Sequence, residues 1–514
     1  MGLIIFILGA IGWHIGLYGM FKKAGIEPWK ALVPFYNTWC IVQICGIKQR
    51  WFWLQFIPVV GQFITIWIII IFVMHFGLVN FIQHTLLVFL PFAYMPYVGF
   101  SPKVRWGGRE MFNRYKKPPS REWLDAAAFA VVAATIIRTF VFEAYTIPSE
   151  SMEKTLLIND FLFVNKMGYG ARMPVTPLSF PFVHNTMPGM PTTPSYLKWI
   201  QIPYTRLPGY KTLQRNDVVV FNVPVGDTII NLPNFGSKHL YYDVLNDRDY
   251  QALMSQGGQK IEGNRDKLRE FYGNNIIVHP MDKTDNYIKR CVAVAGDVMQ
   301  VKDGVLYIND KPAYVPPNSQ IDYNVPNNGL FNTIDELNEK CGIEASDGDG
   351  FAPADSGCSV VNMNPEERQK VEQQFKLKSL KIAQINEHGV TFPFDDANYN
   401  WTPDNFGPLA IPKKGETITL TAKNISIYRR LITTYEHNTL EENNGQFVIN
   451  GKPTNQYTFK YNYYWMMGDN RHRSQDARFW GFVPETHIVG QASLIWMSYG
   501  SSGPRWNRFF KSIN

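Results

Sequence analysis

The spacing of apolar positions divides the chain in two. Through the first 143 residues apolar side chains come in long runs; afterwards they sit in short stretches broken by Tyr, Asn, Pro, Gly and charge. Four runs, at 3–20, 51–72, 76–97 and 123–142, each approach the roughly 20 residues that carry a helix across a bilayer. Pro58 and Gly61 interrupt the second and His84 lies inside the third. A membrane helix tolerates such breaks, and a re-entrant pair is the alternative for these two runs. The first run lacks a basic leader and is followed by Phe21-Lys22-Lys23, so it reads as an anchor, not a cleaved signal. After residue 143 the pattern turns to strands. Val218-Val219-Val220-Phe221 is a β-branched run. Period two places Tyr287, Lys289, Cys291 and Ala293 on one face. Gly304 to Pro312 and Gly445 to Pro453 echo each other, apolar alternation followed by Asn-Asp or Asn-Gly, and predict two hairpins. A charged helical pattern covers 365–385.

These elements predict a mainly β protein of bent antiparallel sheets behind a multi-helix membrane anchor. The expected domains are a transmembrane region at 1–100 with about three helices, a basic loop at 101–122 and a further transmembrane helix at 123–143. A β domain follows at 144–315 and 413–514, interrupted by an insertion at 316–412 whose role is not legible.

Charge fixes the orientation expected for this plan. The net charge is +7. Lys22, Lys23, Lys30, Lys48 and Arg50 cluster between the first two runs, and Lys103, Arg105, Arg109, Arg114, Lys116, Lys117 and Arg121 between the last two. Both loops are expected in the cytoplasm, which puts everything after Phe142 outside. The positive charge is thereby accounted for without nucleic acid, and no zinc-finger spacing or basic helix accompanies it. Arg138, near the outer end of the fourth run, can reach the interface along its own stem. Five cysteines are too few for a disulfide scaffold; Cys341 and Cys358 could pair or stay as thiols. The histidines lack metal-ligand spacing. Asp347-Gly348-Asp349-Gly350 lacks the later glutamate of a calcium loop.

Four segments carry candidate chemistry. Ile147-Pro148-Ser149-Glu150-Ser151-Met152 follows the last membrane run directly, and alone it is equally a linker. Arg215-Asn216-Asp217 leads into the β-branched strand. Tyr287-Ile288-Lys289-Arg290 puts a lysine on a face of small and apolar groups. Burial there would lower its pKa from about 10.4 and leave a neutral amine fit to act as a base; an edge-strand lysine in water is the alternative. Gly468-Asp469-Asn470-Arg471-His472-Arg473-Ser474-Gln475-Asp476-Ala477-Arg478 is dense in turn formers and charge, suited to orienting other groups or to a structural turn.

Taken in order, with Ile137-Arg138-Thr139-Phe140 at the helix end, these segments resemble bacterial type I signal peptidases. The resemblance implies a signal-peptidase-like β catalytic domain and a Ser–Lys dyad, a recognised variant of triad logic. It implies Ser151 as nucleophile, Lys289 as general base and Ser149 as oxyanion donor. Ser474 would orient Lys289, with Asp476, Arg478, Asp469, Asn470 and Arg471 bracing the site. Ile147, Pro148, Met152, Leu156, Tyr287 and Ile288 would line apolar pockets for small side chains. No cofactor or metal is implied. The implied partners are secretory preprotein signal peptides, the lipid bilayer and, as a candidate, the secretion translocon. The implied location is the bacterial cytoplasmic membrane, multi-pass, with the catalytic domain on the periplasmic side.

The chain departs from the family pattern at two places. Lys154 stands where the family favours proline, and His472-Arg473 where it usually has Asp-Asn. Two rival classes remain at this point: a non-catalytic membrane receptor with a β ectodomain, and a soluble self-cleaving Ser–Lys repressor, which would need a DNA-binding domain in place of membrane helices.

Overall fold

The computed structural model describes residues 2–57, 60–224, 228–230, 273, 276–326, 331, 333–343, 351–353, 357–395, 397–443 and 445–513. Pro58 and Asp347, Gly348, Asp349 and Gly350 lie outside them. The chain folds as two units, Met1–Ile136 with Lys198–Ile202, and Ile137–Leu197 with Pro203–Asn514.

The first unit is helical: α1 (Gly2–Lys23), α2 (Tyr36–Cys45), α3 (Arg50–Leu54), α4 (Val60–Met74), α5 (Phe81–Phe89), α6 (Pro91–Phe100), α7 (Gly108–Arg114) and α8 (Pro119–Phe140). Its apolar core includes Leu17, Phe21, Ile68, Phe72, Met95 and Val98. A Cβ on Gly16 would stand 2.4 Å from the Met95 backbone, so α1 and α6 approach over a glycine. Among the described residues α8 is long and apolar enough by itself to cross a bilayer, and none of that stretch is buried. The third apolar run differs from a straight helix. It begins only at Phe81 and turns by 120° between α5 and α6. Leu90 leaves helical geometry (φ −128°, ψ 48°) and Pro91, which has no amide to continue the ladder, starts the next helix. The second run is likewise split, into α3 and α4.

The second unit is mostly β. Its main sheet contains β1 (Phe142–Thr146), β2 (Asp160–Asn165), β3 (Val218–Asn222), β4 (Asn286–Ala293), β5 (Tyr463–Met467), β6 (Val483–Pro484) and β7 (Ile488–Gly500). The spatial order is β1-β2-β7-β3-β4-β5-β6, all pairs antiparallel. Bulges bend β7 against both neighbours. All five residues of β3 are buried, so the strand is covered on both faces. The core packs Val219, Phe221, Cys291, Met466, Trp465 and Trp480.

Both expected hairpins form, Val305–Ile308 with Lys311–Pro312 and Gln446–Ile449 with Lys452–Pro453. Their turns sit at positive φ, Asn309 and Asp310 in one, Asn450 and Gly451 in the other.

Between them a four-stranded sheet runs in the order Phe351–Pro353, Cys358–Met363, Ile321–Pro326, Lys381–Ile382. With α9 (Ile334–Cys341) and α10 (Pro365–Gln374) it encloses its own core, including Val325, Phe331, Leu337, Val361 and Val371. The helical pattern at 365–385 yields only α10. Lys376 takes φ 52°, which ends the helix, and Lys381–Ile382 is a strand. Cys341 and Cys358 are free thiols.

Candidate active site

The site assembles at the start of the β unit. Arg138, at the end of α8, pairs with Glu143 at 2.6 Å, and β1 carries the chain to Ile147. The Ile147 amide donates to the Asp160 carbonyl (2.9 Å), Pro148 stops further pairing, and Glu150–Met152 closes a single 3₁₀ turn. That turn delivers Ser151 to the face of β4. Register places Lys289 opposite Val219, in the interior of the sheet. Lys289 Nζ lies 2.6 Å from Ser151 Oγ, both residues being buried. Burial pushes the Lys289 pKa down to about 8, with the nearby charges of Asp476 and Asp469 opposing the shift. Ser149 is exposed and its Oγ stands 3.4 Å from Ser151 Oγ.

The turn after β5 frames this pair. The Asn470 amide donates to the Ser151 carbonyl (3.1 Å) and its side-chain amide to the Glu150 carbonyl (3.4 Å). Asp469 accepts from Thr155 Oγ1 at 2.6 Å. Asp476 caps the short helix Ala477–Trp480 and accepts from the Gly468 amide at 3.1 Å. It pairs with Arg478 through two 2.9 Å bonds. Burial alone would raise the Asp476 pKa, but the Arg478 charge wins and holds it below the usual carboxylate value. Arg471 is placed here by its carbonyl, which accepts from Arg478, and by its guanidinium, 3.9 Å from Met467 Sδ.

Two expectations need correction. Ser474 is buried beside Gly468, but its hydroxyl has no hydrogen-bond partner among the described residues, so a Ser474–Lys289 bond is not formed. Met152 and Leu156 are fully buried in one cluster with Ile147, Leu162 and Val218, with Ile288 packed at its edge. Neither side chain presents open surface. Pro148 is exposed, and Tyr287 is half-buried with its ring centroid 5.5 Å from Lys289 Nζ.

Three residues with a part in the site had no role in the motif reading. Arg290 makes a bidentate pair with Asp469 (2.8 and 2.7 Å). Thr155 holds the same carboxylate. Gly468 is required because a Cβ would stand 2.4 Å from the Ser151 carbonyl oxygen. Arg290 was adjacent to Lys289 in the motif; the other two carried no signal beyond their place in it.

The comparisons with known proteins decide the family. The model described as signal peptidase, peptidase S26 matches residues 120–347 and 410–497, more than half of the chain. The chain belongs to the signal peptidase S26 family. Residues 29–109 match a second model, a family of unknown function (DUF5684). Among curated relatives, signal peptidase I of Haemophilus influenzae is 25% identical over 400 residues, covering 76% of this chain and 75% of that protein. Signal peptidase I of Aquifex aeolicus is 30% identical over 132 residues, 26% of this chain and 50% of that protein. The probable signal peptidase I-2 of Synechocystis is 46% identical over 69 residues, 13% of this chain and 32% of that protein. The chain is thus a serine hydrolase of the signal peptidase I type.

Proposed function

We propose that this peptidase is a membrane-anchored endopeptidase that removes N-terminal signal peptides through a Ser151–Lys289 dyad. The observation that carries the reading is the 2.6 Å contact between a buried lysine and a serine one turn beyond β1. With its pKa lowered to about 8, Lys289 is substantially neutral near that pH and takes the Ser151 proton. Oγ attacks the scissile carbonyl carbon, and the Ser151 amide and Ser149 hydroxyl accept the developing oxyanion charge by donating to it. The C–N bond breaks as the Lys289 ammonium protonates the leaving amine. Water, deprotonated by Lys289, then hydrolyses the acyl-enzyme. Asp469, Asn470, Arg471, Asp476 and Arg478 keep the turn in place.

The anchor in this reading comprises α8 and the helices before residue 100, with the segment at 101–122 in the cytoplasm and the β domain, interrupted at 316–412, outside. The substrate would be a secretory preprotein with small residues before the cleavage point, its signal helix in the same bilayer. Tethering both partners to one membrane raises their effective concentration. Ile147, Pro148, Tyr287 and Ile288 border the site and set its preference for small side chains.

Purified detergent-solubilised protein is tested on a model preprotein with an Ala-x-Ala site. Wild type cleaves it; Ser151→Ala and Lys289→Ala fold and do not. Equal cleavage by all three would overturn the dyad, and a folded wild type that cleaves no preprotein would favour a non-catalytic receptor.

A further inference from the structure

We propose that the segment at 316–412 is a positioning element for the peptidase site, clamping the Gly468–Ser474 turn and the turn after Ser151 through His472 and Lys154. This rests on the peptidase reading above. Among its described residues a sheet and two helices enclose a core of their own, and serve here as the platform. From that platform three sets of contacts reach the site.

The first is backbone. The Gln320 amide donates to the Asp469 carbonyl and the Arg471 amide to the Gln320 carbonyl, both at 2.8 Å. Residues 469–471 are therefore held between Gln320 on one side and Ser151 on the other, because the Asn470 amide donates to the Ser151 carbonyl. Asn362 adds a side-chain bond to Asn470 Oδ1 at 3.2 Å and to Asp322 Oδ1 at 2.6 Å.

The second is His472. Its side chain is 1% exposed and lies between Asp404, 3.0 Å from Nε2, and Asp322, 3.5 Å from Nδ1. The other charges around it are Arg473 beside Asp322 and Arg478, which stabilises the Asp404 charge. Two carboxylates beside one buried ring favour its charged form, against the Asp322 amide, which donates to Nδ1 at 3.4 Å. An aspartate at position 472 would meet both at close range and be repelled.

The third is Lys154. It takes φ 64°, which proline cannot adopt because its ring holds φ near −65°. That geometry aims the lysine at Glu367, with which it forms an ion pair on a largely buried carboxylate. Glu367 is itself fixed by a capping box at the start of α10, accepting from the Asn364 amide at 2.9 Å and donating its own amide to Asn364 Oδ1 at 2.9 Å.

Positions 154 and 472 thus both meet this segment. Glu367, the partner of Lys154, and Asp404, one partner of His472, fall in the stretch between the two parts matched by the family model, while Asp322 lies inside the first part.

The experiment is a pair of charge swaps in the full chain, solubilised in detergent, with the model preprotein as substrate. Lys154→Glu and Glu367→Lys singly should each lower kcat by about tenfold with KM little changed, and the double swap should restore most of that loss. His472→Asp should behave like the singles, and His472→Asp with Asp322→Asn and Asp404→Asn should recover. Hydrogen exchange at the Asn470 and Arg471 amides, measured also in a Ser151→Ala background, should speed up in each single and return in each combination. That readout needs no catalysis, so it tests the clamp even if the peptidase reading fails. Singles that leave kcat and exchange unchanged, or combinations no better than the worse single, would overturn the proposal.

Discussion

Arg290 and Asp469 face each other fork to carboxylate, Nε to Oδ1 at 2.8 Å and Nη2 to Oδ2 at 2.7 Å, with side chains 3% and 0% exposed. The pair ties the residue next to the base to the turn that carries Asn470. Removing one partner leaves a buried charge alone, which costs about 3–5 kcal/mol. Arg290→Met should therefore lower the melting temperature in detergent sharply, and Arg290→Met with Asp469→Leu should recover part of the loss.

The proposed dyad predicts a pH profile. If Lys289 is the base, only its neutral form accepts the Ser151 proton, and kcat/KM should rise with pH and level off above about 8. Lys289→Arg cannot deprotonate and should lose activity at every pH tested. A profile flat through this range would remove Lys289 from the base role.

The same shift has a stability consequence. The folded pKa of Lys289 is lowered to about 8 from 10.5. Between those values the unfolded chain binds more protons than the folded one, so stability rises with pH through that window and is lowest below it. The full difference is about 3 kcal/mol. Lys289→Met should abolish this part of the pH dependence and melt higher than wild type at neutral pH.

His472 acts with the opposite sign. Burial opposes its charge, but hydrogen bonds to Asp322 and Asp404 prevail and raise its pKa above 6.5. Its contribution is fully present below 6.5 and is lost as pH rises through the raised folded value. The melting difference between wild type and His472→Asn should shrink accordingly as pH increases.

Gly468 tolerates nothing larger. A Cβ there would stand 2.2 Å from Ser474 Oγ and 2.4 Å from the Ser151 carbonyl oxygen, the latter being backbone. Gly468→Ala should cost about 1–3 kcal/mol in a melt and reduce kcat by displacing Ser151. Adding Ser474→Ala should relieve only the side-chain clash.

What could be read from the chain followed local periodicity. The alternation around Lys289 located β4, and the Asn-Asp and Asn-Gly turns located both hairpins, because side-chain direction and positive φ are local properties. The run at 76–97 left a straight span and a re-entrant pair both open because apolarity does not report a bend; Pro91 stands where the bend falls. The helix at 365–374 was overextended because Lys376 adopts φ 52° without being glycine. The closeness of Ser151 and Lys289 was legible through ordered motifs, whereas Arg290–Asp469, Lys154–Glu367 and His472 with its two carboxylates join residues far apart in sequence, and no single segment announces its partner. Ser474 shows the converse, a motif position whose expected bond is not made.

The strand order carries a consequence for biogenesis. Ser151 is borne by the turn between β1 and β2, and Lys289 by β4, yet β7 lies between β2 and β3 in the sheet. A chain made only as far as Lys289 therefore carries Ser151 and Lys289 on two halves of the sheet whose joining strand is still missing. That strand, residues 488–500, is the last of the seven in chain order.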